Sequence, residues 1–300
     1  MKVYVTGASG FVGSHVAREL RERGAEVRDE LVDLSDAAGL ERAVDGCDAV
    51  VHVAALYSFD APEKDLERVN VEGTRNVLEA CARRGVRRLV FTSSSGTCGP
   101  VPGREATEAD SPPAWELGVP YKRTKLAAER LVLRSGLDAC AVNPTTPVGD
   151  GPAPPTPTVR MVDGLVSGRI RGYLAGTGIN VVDVRDVARG HALALERGRP
   201  GERYILGAEN LGLRELFARV CELAGRPAPR LRVPYWGAAA AARVGLVNRH
   251  EVALARIPMW FSSAKARVEL GYEPGPVGPA LERAVKEALS RVSLGLEERS

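Results

Sequence analysis

The 300-residue chain predicts an α/β protein built on a doubly wound parallel sheet, with a smaller lobe towards its C-terminus. Continuous apolar runs end at Thr6, Ala55, Ser93 and Asn143, each bounded by polar turns, as strands buried on both faces require. Helix-spaced stretches separate these runs. Such β-α alternation gives a parallel sheet whose ligands sit outside the carboxyl ends of its strands. After Pro144 the alternation lapses into a stretch dense in Pro and Gly. The predicted division is therefore a sheet domain over residues 1–145, joined by about 178–200, and a substrate-binding lobe over 146–177 and 201–300.

The elements follow in order. Lys2 to Thr6 is a strand leading into Gly7-Ala8-Ser9-Gly10-Phe11-Val12-Gly13. Val12, Val16 and Leu20 then recur at helical spacing, and Gly24 ends the helix. Leu66, Val69, Val77 and Cys81 mark a second helix, with Gly73 placed for close packing. Tyr121 to Arg134 is a third, stopped by Gly136. Gly149 to Pro157 reads as an irregular loop. Val181 to Val184 predicts a strand with the helix Val187 to Glu196 behind it. Beyond Gly201 come a strand at Tyr204–Leu206, a helix at Leu213–Ala224 and a terminal helix near Ala280–Arg291. Val233 to Val247, interrupted by Arg243, is too short to span a bilayer and reads as an Ala-rich helix docked on the domain.

A net charge of +3 gives no reason to expect nucleic acid or an acidic membrane as partner. Cys47, Cys81, Cys98, Cys140 and Cys221 show no CxxC spacing and read as buried, reduced thiols of a cytoplasmic protein. The chain opens directly on a strand, which leaves no room for a signal peptide. Its carboxylates and histidines show no metal-ligand spacing.

Three signals carry chemistry. Gly7, Gly10 and Gly13 lie where strand becomes helix: the first for the turn, the second for approach of a pyrophosphate, the third for helix packing. The helix N-terminus then offers unpaired N–H groups and the positive end of its dipole to phosphates. Tyr121 and Lys125 are four apart, one turn along a helix face. A nearby ammonium favours the phenolate and brings a tyrosine towards useful acid–base range. Among Thr92-Ser93-Ser94-Ser95, strand alternation allows only some hydroxyls to face a substrate; Ser94 is the choice and Ser95 the fallback.

Several segments together resemble the extended short-chain dehydrogenase/reductases, the NAD-dependent epimerase/dehydratase family. They are Val5 to Gly13, His52-Val53-Ala54-Ala55, Asn70 to Thr74, Phe91 to Ser94, Tyr121 to Lys125 and Val142 to Pro147. Further on come Pro155 to Thr158, Asp183 to Ala188, Glu202 to Gly207 and Phe261 to Lys265. Within that family the chain is most similar to hopanoid-associated sugar epimerases and dihydroflavonol-4-reductase-like proteins. The resemblance implies a Rossmann-type sheet, a bound NAD or NADP, a small-molecule substrate and a homodimer formed through a helix pair flanking the sheet. It implies Ser94, Tyr121 and Lys125 as the catalytic set. It places Gly7, Ser9, Gly10, Phe11, Val12, Gly13, Asp33, Leu34, Val53, Ala54, Ala55, Asn70, Thr92, Asn143 and Pro144 at the cofactor. Ser95, Thr145, Thr146 and Arg160 fall on the substrate side. His52 reads as a strand residue, and Asp186 and His191 as polar residues joining the lobes.

One departure stands out. Between Gly24 and Asp33 the family fits a second strand, a helix and a third strand, and here only Ala25 to Val32 remain. Either this edge has lost a helix or a mobile loop has dropped out of the chain. Residues that read the adenosine ribose belong there, and Arg28 is the nearest basic candidate, so the choice between NAD and NADP stays open. The implied function is hydride transfer between nicotinamide and a carbinol or carbonyl carbon. A nucleotide-sugar epimerase or dehydratase comes first, a dihydroflavonol-reductase-like NADPH-dependent carbonyl reductase second, and a non-catalytic cofactor sensor third.

Overall fold

The computed structural model describes residues 1–152 and 156–293. Pro155, part of the Gly149–Pro157 loop, and residues 294–300 of the expected lobe lie outside them. The first half runs β1 (Lys2–Thr6), α1 (Phe11–Glu22), β2 (Glu26–Arg28), α2 (Ala37–Val44) and β3 (Ala49–His52). Then α3 (Glu63–Leu66) continues through a wide turn, Glu67–Glu72, into α4 (Gly73–Arg84), followed by β4 (Arg88–Thr92), α5 (Pro120–Leu133) and β5 (Asp138–Pro144). The second half runs β6 (Thr146–Val148), α6 (Pro157–Val166), β7 (Gly172–Leu174), β8 (Gly178–Asp183), α7 (Val184–Arg197), β9 (Arg203–Leu206) and β10 (Glu209–Gly212). It closes with α8 (Leu213–Leu223), β11 (Leu231–Val233), α9 (Tyr235–Arg243), α10 (Arg249–Leu254), α11 (Ala264–Leu270) and α12 (Gly278–Ser293).

Six parallel strands form the main sheet in the order β2-β1-β3-β4-β5-β9. Strand direction of growth reverses at β1, which pairs with β2 on one side and β3 on the other, so a crevice opens at their carboxyl ends. Alternate side chains enter two cores. Val3, Val5, Val51, Val90 and Val142 pack with Val16 and Leu20 of α1 and Val187 of α7. Tyr4, Val50, Leu89 and Phe91 pack with Leu40 of α2, Val77 of α4 and Val132 of α5. Burial on both faces is why these strands read as unbroken apolar runs. Gly73 meets Leu34 so closely that a Cβ there would lie 2.8 Å from its side chain.

Two expectations change. The strand Arg203–Leu206, assigned to the lobe, is the sheet's sixth strand, paired to β5. Gly178–Asp183, assigned to the sheet domain, lies instead in a three-stranded sheet of order β10-β8-β6. Of that stretch, α7 covers the main sheet, joined by the Val182 side chain of β8. The edge is short: β2 is terminal, and residues 29–36 lead to α2 without a further strand or helix. Leu31, in that shortcut, is 85 % exposed. The Ala-rich helix α9 packs against α10 with Tyr235, Gly237, Ala238, Ala239, Ala241 and Ala242 half-buried, and none of its residues is fully buried. No helix among the described residues is long and apolar enough to cross a membrane. The five cysteines are buried and free.

Two histidines are sealed in the core. His52 bonds Thr6 Oγ1 through Nδ1 at 2.8 Å and Thr74 Oγ1 through Nε2 at 3.1 Å. His191 donates from Nδ1 to the Val187 carbonyl at 2.8 Å and accepts from Thr92 Oγ1 at 2.8 Å. Burial pushes their pKa values down to about 3 and about 4. The unfolded chain protonates each below its ordinary value of 6.5 while the folded one does not. Their contribution is therefore complete above that value and is lost as pH falls. His191→Gln should be less stable near neutrality, with the gap to the parent narrowing by about 1 kcal/mol between about pH 7.5 and 5.5. Urea unfolding measures it, and a gap independent of pH would mean that His191 titrates normally.

Candidate active site

The loop after β1 is shaped for backbone approach. Gly7 has φ +67°, and a Cβ there would sit 2.8 Å from the Ala54 backbone. A Cβ on Gly13 would lie 2.0 Å from the Gly7 carbonyl, so the third glycine packs α1 on the loop itself rather than on the sheet. The cap of α1 is Gly10, with no side chain satisfying the first amides. Those donors and the dipole end face a cavity of about 1000 Å³ lined by Gly7, Ser9, Gly10, Phe11, Val12 and Gly13. A cradle that any side chain would fill, beneath an uncapped helix end, fits a dinucleotide pyrophosphate.

The cavity continues past Asp33, Leu34, Val53, Ala54 and Ala55 to Thr92, Ser94, Ser95, Tyr121, Lys125, Pro144, Thr145, Thr146 and Arg160. Asp33 accepts from Ser35 N at 2.8 Å and Ser35 Oγ at 2.7 Å, which holds its carboxyl below the usual range. Three predicted cofactor residues do not line it. Arg28 donates instead to the carbonyls of Ala43 at 3.2 Å and Asp45 at 2.8 Å, capping the carboxyl end of α2. Asn70 ties both backbone polar groups of Leu56 to Thr124 Oγ1. Asn143 donates to the Ser94 carbonyl at 3.1 Å and to Glu129 Oε2 at 2.6 Å. Glu129 in turn pairs with Arg203 at 2.9 Å, so β9 braces the Ser94 turn from behind. Below that turn Lys122 and Glu116 form a buried ion pair, with Lys122 packed against Gly96.

Of the four hydroxyls after β4, Thr92 spends its own on His191 and Ser93 Oγ is buried without a partner among the described residues. Ser94 Oγ accepts from Gly96 N at 3.2 Å and lines the same cavity as Tyr121. Lys125 is 2 % exposed, donates to the Thr92 carbonyl at 2.7 Å and lies 4.4 Å over the Phe91 ring. Burial pushes its pKa down to about 7 against the opposing charge of Glu129. The Tyr121 phenol moves above its ordinary value, by burial first and by Tyr57 second, with Ser94 opposing. The expected lowering by Lys125 is not what governs this arrangement: the ammonium is turned to a carbonyl and desolvation dominates. A phenol so held keeps its proton and can donate a hydrogen bond to an oxygen beside it.

Two residues of the site escaped the sequence. Tyr57 and Phe59 stack on Tyr121 at centroid distances of 4.8 and 5.9 Å. They sit in a loop with no motif of its own. The available signal was two aromatics directly after Ala54-Ala55, in a stretch too irregular to feed a core. Arg68 and Ser35 join Asp33 at the adenosine end of the cavity.

The model of the NAD dependent epimerase/dehydratase family matches residues 3–207. The chain belongs to that family. A putative dihydroflavonol 4-reductase of Synechocystis sp. is 38 % identical over 260 residues, covering 78 % of this chain and 75 % of that protein. The solved structure of gox2253 is 38 % identical with TM-score 0.85, covering 96 % and 98 %. A Thermus thermophilus UDP-glucose 4-epimerase solved with NAD is 27 % identical with TM-score 0.78, covering 96 % and 99 %. This family member is an NAD(P)-dependent enzyme on a Rossmann-type sheet.

Proposed function

We propose that this enzyme reduces the carbonyl group of an apolar substrate, and in reverse oxidises the alcohol. The wall of the substrate half of the cavity carries the reading. Val162, Ile170, Ile179, Phe217, Leu254 and Met259 line it. The arginines that reach this half are held by carboxylates: Arg160 by Glu251 at 3.1 Å, Arg291 by Asp163 at 2.7 Å. A nucleotide sugar brings a diphosphate, which needs cations to receive it. An apolar ketone needs none. The similarity to a putative dihydroflavonol 4-reductase points the same way.

When bound, the nicotinamide supplies or takes the hydride. Gly10 to Gly13 offer their amides to its pyrophosphate, with Asp33 and Leu34 at the adenosine end. Tyr121 holds the proton destined for the substrate oxygen, and Ser94 donates a hydrogen bond to that same oxygen. Lys125 orients the ribose and the phenol. Tyr57 and Phe59 cover Tyr121 and keep water from it. The setting in this reading is the cytoplasm, where the buried cysteines stay reduced, and the assembly is a homodimer across helices flanking the sheet.

Denaturing the purified protein and identifying the dinucleotide it releases tests the reading. The expected result is little retained dinucleotide, with added NADH or NADPH consumed when apolar ketones are supplied. Near-stoichiometric retained NAD, together with turnover of a nucleotide sugar, would establish the epimerase outcome instead.

A further inference from the structure

The net charge of +3 hides a strongly uneven distribution. Residues 224–258 contain six arginines, Arg226, Arg230, Arg232, Arg243, Arg249 and Arg256, and a single carboxylate, Glu251. All six are exposed, and none forms an ion pair among the described residues. Most other arginines of the chain are paired, as Arg219 is with Glu209 and Glu215. Interleaved with these cations are apolar side chains in water. Trp236 is 76 % exposed, Val244 72 %, Leu246 77 % and Leu231 63 %. Trp236, Ala240 and Arg243 recur at helical spacing on the outer face of α9 and lead into Val244, Leu246 and Val247.

We infer that this segment docks on an anionic lipid surface. Aromatic and aliphatic side chains beside arginines that no carboxylate neutralises suit the boundary between headgroups and acyl chains, and the cations attract the negative surface. A second copy of this chain would bring the same positive charge and be repelled. Nucleic acid would leave Val244 and Leu246 in water. The position has a use. Helix α10 packs against α9, and its Leu254, with Ala255, lines the substrate cavity, so the docked face is also a rim of that cavity. Docking would set the cavity mouth against the phase in which apolar molecules concentrate. The inference stands on surface chemistry and does not require the reductase reading to be correct.

Vesicle flotation tests it with the full chain. The probes are vesicles of phosphatidylcholine alone and of phosphatidylcholine with about one third phosphatidylglycerol, at about 0.1 M salt. The protein is expected to float with the anionic vesicles, to stay behind with the neutral ones, and to be released at several-fold higher salt. Arg230→Glu with Arg243→Glu should weaken binding at least about tenfold, since each charge near the surface is worth roughly fivefold. Trp236→Ala with Leu246→Ser should weaken it independently, with unchanged thermal unfolding showing that both variants remain folded. Three results would overturn the inference. One is absence of flotation with the anionic vesicles, and another is flotation that charge reversal leaves intact. The third is a dimer in light scattering that Trp236→Ala with Leu246→Ser dissociates.

Discussion

Tyr121→Phe is expected to lower kcat by about a thousandfold while changing dinucleotide affinity less than about twofold. The variant keeps the ring, and with it the stacking of Tyr57 at 4.8 Å and Phe59 at 5.9 Å, so cavity shape is retained. What it removes is the proton that burial holds on the phenol. Ser94→Ala should cost about a hundredfold, because it removes one donor to the developing oxyanion and leaves the acid in place. Steady-state rates and dinucleotide titration separate the two effects. Turnover unchanged in Tyr121→Phe would remove the catalytic assignment.

Gly13→Ala is expected to weaken dinucleotide binding at least about tenfold and to cost about 1–3 kcal/mol of stability. Its new Cβ would meet the Gly7 carbonyl at 2.0 Å. That carbonyl already accepts from Gly10 N at 2.9 Å, so relief moves the whole loop and the amides of α1 with it. Gly24→Ala is the control. Gly24 has φ +82° but open space around the added atom, so it should cost about 1 kcal/mol and leave dinucleotide affinity unchanged. Titration calorimetry and denaturant unfolding on both variants check the contrast. Equal affinities in the two would show that the close approach at Gly13 does not shape the cofactor loop.

The sheet was legible because its strands are covered on both faces. Val3, Tyr4 and Val5 serve two cores in succession, and no polar residue can interrupt them. The glycine loop and the Tyr121–Lys125 spacing were legible because backbone geometry and helix pitch leave few alternatives. Pairing was less legible. Arg203–Leu206 reads alike in either sheet, and only the docking of β9 on β5 decides it. Arg28 was misread because its partners are carbonyls at the end of α2, a helix of eight residues whose short apolar pattern passed unnoticed. Asn143 shows a similar limit. Its place at a strand end announces a polar role, yet which polar neighbour it serves depends on Glu129 from α5. The orientation of Lys125 towards the Thr92 carbonyl also lies beyond spacing, which fixes a helix face but not a rotamer.

A crystal structure of the dinucleotide complex tests the central claim most directly, that one cavity joins the glycine loop to the Ser94–Tyr121–Lys125 group. The account predicts pyrophosphate density against the Gly10 to Gly13 amides and a nicotinamide ring beside the Tyr121 hydroxyl. A dinucleotide bound elsewhere, or a nicotinamide out of reach of that hydroxyl, would contradict it.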